Sequence, residues 1–304
     1  MSLFLKKIAL FSLIIVFLLA IGEVIVRNQP NSYSYKHKWV KDNGSIINTL
    51  ILGSSHSYYG TNANLLGDSV FNLANISQMP DYDFELLKYY DSDLKNLKRV
   101  IIPISYFTFK DRVFEESDEW NLAINYKIHM KLPIHSDFSI YNFEISDFNT
   151  YSQKLKNLIL PKVSNVCDSL GDGLNFDLST RSDNWESYGK RRAQELTGIE
   201  KNRADEVSVI LADLIEYCRA KNIECIFITT PTWHTFRENM DSTQYADMCR
   251  RTVELCDKYG VRYFDYFDDV RFNDEDFHDV DHLSDIGAAK LTRIFVSDAG
   301  LTKK

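Results

Sequence analysis

The sequence is poor in the residues that mark fibrous, disordered and disulfide-stabilised chains. Its 304 residues include only 12 Gly, 6 Pro and 5 Cys, which excludes a collagen-like repeat, a low-complexity chain and a disulfide-dense miniprotein. Positive charge is also in short supply, since 35 Lys and Arg stand against 43 Asp and Glu, a net charge of -8. A nucleic-acid-binding domain carries a basic face. The composition therefore disfavours nucleic acid as a partner.

The cysteines do not form a recognisable site in the sequence. Five of them, an odd number, cannot all pair within the chain, and no Cys-x-x-Cys motif of the zinc or thioredoxin type is present: Cys167, Cys218, Cys225, Cys249 and Cys256. We expect most of them to be small core residues. The sequence predicts neither a metal nor a cofactor.

One hydrophobic segment stands out from an otherwise polar chain. It runs from Ile8 to Val26 directly after Lys6 and Lys7. At about 1.5 Å per residue this run covers nearly the roughly 30 Å of a hydrocarbon core. The lysines keep the short N-terminus on the cytoplasmic side by the positive-inside rule. We therefore predict a signal anchor over 1–28, a single-pass membrane helix, with the remaining chain extracytoplasmic, either periplasmic or on the cell surface.

Two other interpretations of this segment are open. A cleaved signal peptide shares the lysines and the apolar core, but small residues spaced as Ala-x-Ala are missing, because Leu18 stands two positions before Ala20. A buried core helix is the other alternative, and such a helix is usually polar on one side. The uncleaved anchor is favoured over both.

The rest of the chain alternates apolar runs with amphipathic stretches. We interpret 29–44 as a polar linker and 45–304 as one domain, with an aromatic-rich insertion or lid at about 110–188. Strands without period-two alternation, separated by helices, indicate a parallel sheet that is covered on both faces. The predicted fold is α/β, a three-layer α/β/α sandwich with a central parallel sheet. The predicted strands are 46–52, 70–74, 99–104, 223–229 and 261–264, and the predicted helices include 82–97, one from 202, 244–259 and one after Ser284.

Residues suited to nucleophilic catalysis stand at the two ends of this domain. Gly53 and Ser55 follow the first predicted strand, and Asp279 and His282 precede the last helix. A serine nucleophile needs a base such as histidine, and the histidine needs a carboxylate to orient it. In a parallel sheet, such groups meet beyond the carboxyl ends of the strands. The plainer interpretations are a helix N-cap for the serines and a solvated acidic loop for the aspartates.

These residues resemble the motifs of the SGNH hydrolases, the GDSL-type esterase superfamily. Gly53-Ser54-Ser55 stands where that family has Gly-Asp-Ser, Asp279-x-x-His282 matches its terminal Asp-x-x-His block, and 72–77 resembles its second block. The resemblance implies an SGNH, flavodoxin-like fold, with Ser55 as nucleophile, His282 as base and Asp279 as its orienting carboxylate. It also implies an oxyanion hole from the backbone N–H groups of Ser55 and Ser77, where Ser77 replaces a glycine.

The third block of the family, Gly-x-Asn-Asp, is absent. Ser105 follows the third predicted strand in its place, so the asparagine that completes the oxyanion hole is missing, and Ser105 or the insertion could supply a donor. Three further residues are candidates for substrate binding. His56 follows the predicted nucleophile, and Trp233 and His234 follow the fourth predicted strand at the same sheet edge.

Three functions are compatible with this pattern. The favoured one is a membrane-anchored serine esterase or O-acyltransferase acting on acylated cell-envelope polysaccharide, since the arrangement is similar to anchored relatives that modify teichoic acid or alginate. The second is a catalytically degenerate domain that binds glycan or a membrane-bound acyltransferase partner. The third and least favoured is a divalent-metal hydrolase with closely spaced ligands: Asp276, His278, Asp279, Asp281 and His282.

Overall fold

The computed structural model describes residues 2–109, 119–134, 139–159, 167–197 and 203–301. The chain divides into two compact units, Met1–His37 with Phe114–Ser164, and Lys38–Val113 with Asn165–Lys304. The predicted insertion at 110–188 is therefore shared between the two units, and its residues 110–118, 135–138 and 160–166 lie outside the described ranges.

The elements alternate as the sequence pattern predicts. The strands are β1 Thr49–Ile51, β2 Val70–Asn72, β3 Arg99–Pro103, β4 Glu224–Thr229 and β5 Arg262–Asp265. The helices are α1 Ser2–Arg27, α2 Ser32–Asn43, α3 Ser55–Tyr58, α4 Ala63–Leu66, α5 Pro80–Tyr89, α6 Leu122–Ile128, α7 Phe148–Ile159, α8 Gly189–Glu195, α9 Ala204–Ala220, α10 His234–Arg237, α11 Ser242–Tyr259 and α12 Asp285–Asp298.

The first unit is built around the C-terminal end of α1. Glu23 accepts hydrogen bonds from the backbone N–H groups of Glu144 (2.9 Å) and Ile145 (3.1 Å), and it pairs with Arg27 at 2.7 Å. Helix α1 is long and apolar enough from Leu3 to Arg27 to cross a membrane. Only 6% of its most apolar stretch is buried. A core helix would be buried, so that interpretation of the segment does not fit.

The second unit contains a five-stranded sheet in the order β2-β1-β3-β4-β5, with every pair parallel. Successive side chains of a strand point to opposite faces. Leu50 and Ile51 of β1 are both fully buried, so helices cover the two faces of the sheet. The predicted α/β sandwich with a parallel sheet is confirmed, and its strand order is the flavodoxin-like one.

Two local predictions differ from the structure. The helix predicted over 82–97 ends at Tyr89, because the following residues form a turn in which the Asp93 N–H donates to the Tyr90 carbonyl. The stretch 29–44, interpreted as a linker, contains the twelve-residue helix α2. All five cysteines lie within the described ranges and are free, three of them buried.

Candidate active site

The loop after β1 makes a turn that requires glycine. Gly53 has φ +104°, and a Cβ there would lie 2.0 Å from the Cγ of Pro103, at the end of β3. The next residue, Ser54, is extended and caps α3, its hydroxyl accepting a long hydrogen bond of 3.4 Å from the His56 N–H. Ser55 is therefore the first residue of α3, at the carboxyl edge of the sheet.

Ser55, His282 and Asp279 form a continuous chain of hydrogen bonds. The Oγ atom of Ser55 lies 2.8 Å from Nε2 of His282, and Nδ1 of His282 lies 2.9 and 3.1 Å from the two carboxylate oxygens of Asp279. Oδ1 of Asp279, the oxygen 2.9 Å from His282, also accepts hydrogen bonds from the backbone N–H groups of Asp281 (3.0 Å) and His282 (2.8 Å). This tight turn explains how an aspartate three positions before a histidine can reach its ring.

The charges of this loop favour the ionised forms of its members. Burial alone would raise the pKa of Asp279, but the charge and hydrogen bonds of His282 and His278 outweigh it and lower that pKa. For His282 the effect of burial has the opposite sign and alone would lower the pKa. The carboxylates of Asp279 and Asp281 outweigh this effect, so the pKa of His282 is raised above its ordinary value.

A second chain of hydrogen bonds lies directly behind the first. His56 is buried, with Nδ1 2.9 Å from Oγ of Ser105 and Nε2 3.4 Å from a carboxylate oxygen of Asp281. Burial lowers the pKa of His56 below its ordinary value, which keeps the ring neutral. Because the carboxylate accepts at Nε2, the proton of the neutral ring lies there. Nδ1 is then an acceptor for the Ser105 hydroxyl.

These contacts revise two expectations from the sequence. His56 was expected to contact substrate, but it is only 5% exposed, and its ring is enclosed by Ser105, Asp281 and Phe107. Ser105 and the insertion were the two candidates for the missing oxyanion-hole donor. With the His56 proton on Nε2, the Ser105 hydroxyl donates to Nδ1, so its hydrogen is not available to an oxyanion.

An open cavity of about 530 Å³ lies beside His282 and Asp279. The segment 180–195 supplies much of its wall, including Trp185, Tyr188 and Arg192. In the part of the chain that the structure describes, the predicted substrate residues Trp233 and His234 are not among the lining residues.

Packing explains where those two side chains go instead. Trp233 packs against Trp185, with ring centroids 5.0 Å apart, and against Phe277 at 5.3 Å. His234 points outward and pairs with Glu238 at 3.0 Å. Neither side chain lines the cavity beside His282.

The loop after β2 is tied to the loop that carries Ser55. The Asn75 N–H donates to the Gly53 carbonyl at 3.1 Å. On the other side, the buried carboxylate of Asp83 accepts the Gly53 N–H at 2.8 Å and the Gln78 side-chain amide at 2.6 Å. Ser77 has φ +56°, the left-handed region that glycine adopts most easily.

The acidic loop does not gather the five residues that the metal-hydrolase hypothesis requires as ligands. Asp276 is buried against Lys290 at 2.6 Å, and His278 lies 3.2 Å from Thr180. Ligand atoms of His56, Asp281 and His282 do lie within 4.8 Å of one another. However, the Asp281 carboxylate already accepts from the guanidinium of Arg192, whose charge would repel a cation there.

Two residues of the site carry no signal in the sequence. Arg192 lies on α8, just after the stretch that breaks the strand–helix rhythm, and its Nε donates to both oxygens of Asp281 at 3.1 and 2.9 Å. Asp83 lies in the first half of α5, where an acidic residue is expected simply from helix preferences. Only the packed structure shows what either side chain contacts.

Comparisons with known proteins add little to this geometry. No protein-family model and no curated protein matches the chain. Among solved structures, it is similar to a protein from Bacteroides fragilis NCTC 9343 that is provisionally named an acylhydrolase, at 9% identity and a TM-score of 0.43. The similarity covers 87% of this chain and 96% of that one. A TM-score at this level assigns neither family nor function.

Proposed function

We propose that the protein is a membrane-anchored serine esterase or O-acyltransferase of the SGNH type. The observation that carries the proposal is the hydrogen-bonded chain from Ser55 Oγ through His282 to Asp279, with distances of 2.8 and 2.9 Å. Nucleophile, base and orienting carboxylate are the three parts that acyl transfer through a serine requires.

The reaction proceeds through a covalent acyl-enzyme. Nε2 of His282 takes the hydroxyl proton as Ser55 Oγ attacks the ester carbonyl carbon, and the carbonyl oxygen becomes an oxyanion. Collapse of this intermediate breaks the ester bond, and His282 returns the proton to the departing alcohol. Water or the hydroxyl of an acceptor then attacks the acyl-enzyme with His282 again as base, and collapse of this second intermediate breaks the Ser55–acyl bond and returns the His282 proton to Ser55 Oγ. Water gives hydrolysis, and an acceptor hydroxyl gives transfer.

The oxyanion hole in this proposal consists of backbone donors. The Ser55 N–H is the first of α3 and makes no hydrogen bond to any described residue. The Ser77 N–H is the second donor, on the loop that Asn75 ties to Gly53. Removing one oxyanion donor typically costs about 10²–10³ in turnover, so we expect an enzyme that lacks the third donor to be slow.

The first helix and the cavity support the location and the substrate class that we propose. Helix α1 would anchor the chain, with the two lysines on the cytoplasmic side and the sheet domain outside. An aromatic ring beside polar groups suits a sugar chain, and the exposed Tyr188 and Thr180 line the cavity beside His282. We therefore propose acylated envelope polysaccharide as the substrate.

The decisive experiment is labelling with a fluorophosphonate probe, which reacts with an activated serine. We expect the full-length protein in detergent to be labelled and Ser55→Ala not to be. Ser57→Ala is the matched control, because Ser57 lies on the same short helix and its buried Oγ has no hydrogen-bond partner among the described residues. Equal labelling of wild type and Ser55→Ala would refute the assignment of the nucleophile.

A second function is favoured by one observation, the commitment of the Ser105 hydroxyl to His56. Without a side-chain donor at this position, the domain could bind acylated glycan, or a membrane acyltransferase that does the chemistry. In that case wild type would resist the fluorophosphonate probe yet bind acetylated oligosaccharide in equilibrium dialysis. Probe labelling that depends on Ser55 would exclude this alternative.

A further inference from the structure

Asp281 occupies a central place between the two histidines of the site. It is 2% exposed, and its carboxylate lies 3.4 Å from Nε2 of His56 and 3.4 Å from Nδ1 of His282. The guanidinium of Arg192 is closer than either ring, at 2.9 Å. A buried carboxylate without a cation is costly. The positive charge of Arg192 lowers the free-energy cost of keeping Asp281 ionised next to His282.

The arrangement gives His282 two carboxylates rather than one. Asp279 is the nearer, at 2.9 Å, and orients the ring. Asp281 adds a second negative charge at 3.4 Å that stabilises the protonated ring. Arg192 opposes that effect, since its positive charge lies 2.9 Å from the same carboxylate. The negative charge of Asp281 thus raises the proton affinity of His282, and the positive charge of Arg192 lowers it.

We propose that the half-buried Arg192 and the buried Asp281 form an ion pair that positions His282 and sets the pH at which its Nε2 can accept the Ser55 proton. The inference rests on the function proposed above for the site. Arg192 and Asp281 act here through His282, so they are positioning residues rather than catalytic ones.

The ion pair has to act among all the groups that face His282. The loop before α12 contributes Asp279, Asp281 and His278. Helix α3 contributes Ser55 and His56, and its C-cap residue is Tyr59. Helix α8 contributes Arg192 and Glu195. His56 is neutral, and Glu195 is 3.7 Å from Arg192 rather than beside the ring. Asp281 and Arg192 are thus the nearest oppositely charged pair behind the Asp279–His282 unit.

Two substitutions test the proposal because their effects have opposite signs. Arg192→Gln removes the positive charge, and the protonated ring of His282 is then the cation that remains beside the buried Asp281, so the midpoint of His282 titration rises. Asp281→Asn removes the negative charge, so the midpoint falls. At low ionic strength we expect each shift to be about one pH unit, or about tenfold in the deprotonated fraction below the midpoint. Arg192→Lys keeps the charge and is expected to titrate near wild type.

The readout is side-chain NMR of the full-length protein in detergent, labelled with ¹⁵N-histidine. The chain has 7 histidines, and the signal of His282 is identified by its loss in His282→Gln. We also expect the double variant Arg192→Gln/Asp281→Asn to titrate near wild type, since it removes both charges. Shifts in the same direction for the two single variants, or no shift in either, would overturn the proposal.

The NMR titration separates this inference from the proposed function. Opposite shifts of His282 in a protein that no fluorophosphonate labels would support the ion pair and contradict the serine hydrolase. Labelling that depends on Ser55, together with an unmoved His282 titration, would support the hydrolase and contradict the ion pair. In an active protein, the acidic limb of kcat/KM should move with the NMR midpoint. A purely structural role would lower kcat and leave the limb in place.

Discussion

The hydroxyl of Ser55 and the imidazole Nε2 of His282 lie 2.8 Å apart, although 227 positions separate the two residues in the chain. Ser55 begins α3 after the first strand, and His282 stands just before the last helix. Two ends of a parallel α/β domain therefore meet at one edge of the sheet. Nδ1 of His282 is bound to Asp279, so its proton lies there and Nε2 is free to take the proton of serine, as a general base requires.

The first prediction concerns the pH dependence of ester hydrolysis. His282 accepts a proton only when neutral, and the carboxylates of Asp279 and Asp281 raise its pKa above the ordinary value. We therefore expect kcat/KM to rise with pH through a limb centred above about 6.5, the usual histidine value. A pH profile with an aryl acetate measures this limb. A limb centred at or below the usual value would contradict the electrostatic account of the site.

The second prediction concerns the turn at Gly53. An alanine there meets Pro103 and must adopt φ +104°, so we expect Gly53→Ala to cost about 2–5 kcal/mol of stability. Gly260→Ala is the control, because Gly260 also has positive φ (+70°) but no atom lies within 4 Å of its added Cβ. We expect the control to cost only about 1–2 kcal/mol. Equal thermal shifts for the two variants would show that the contact with Pro103 is unimportant.

The third prediction concerns the carboxyl group behind the Ser55 loop. Burial raises the pKa of Asp83 to about 7, although hydrogen bonds from Gln78 and Gly53 oppose that rise. Its unfolded value is near 3.9, so the unfolded chain binds fewer protons than the folded one between about pH 4 and 7. Wild type should therefore lose stability across this window as pH rises, at up to about 1.4 kcal/mol per pH unit.

Asp83→Asn is expected to remove this loss, because a neutral amide needs no proton and its oxygen can still accept from Gly53. The difference in melting temperature between Asp83→Asn and wild type should grow from pH 4 to 8. Asp68→Asn, at an exposed position, is the control and should follow wild type throughout. A constant difference between the Asp83 variant and wild type would contradict the buried-acid account.

The fourth prediction concerns Ser105. Its hydroxyl donates to His56 at 2.9 Å and is 4% exposed, so it cannot serve an oxyanion at the same time. We expect Ser105→Ala to lower kcat less than about tenfold, well short of the roughly 10²–10³ loss typical of an oxyanion donor. A loss of the larger size, with the kcat of Ser57→Ala unchanged, would instead assign Ser105 a role as an oxyanion-hole donor.

The fifth prediction concerns membrane insertion of α1. Ile14 is exposed in the middle of the apolar run, where an arginine costs about 2.5–3.5 kcal/mol of insertion free energy. We expect Ile14→Arg to move a large share of the protein out of the carbonate-resistant membrane fraction. Ile46→Arg is the matched control at an exposed isoleucine outside the helix. Loss of both variants from membranes would point to misfolding instead of failed insertion.

The course of the sheet was predictable because its signals are local. Apolar runs such as 99–104 and 223–229 need only their own composition to be identified as buried strands, and β3 and β4 lie within them. The start of the last helix was predictable for the same reason, because Ser284 is a local N-cap signal. Its hydroxyl accepts a hydrogen bond of 3.2 Å from the Gly287 N–H. Helix ends were less predictable, as α5 shows, because a turn and a helix differ there by few interactions.

By itself, the sequence determined the α/β class, the apolar first helix and the placement of Ser55 and the Asp279–His282 pair at strand and helix ends. Only the tertiary structure decided which side chains are buried and what they contact. His56 and Asp281 are 225 positions apart, and Arg192 lies on α8, just after the stretch that breaks the strand–helix rhythm. The environment of a charged group depends on burial and on partners from distant segments. Packing therefore places His56 in the second chain of hydrogen bonds, between Ser105 and Asp281, and pairs Arg192 with Asp281.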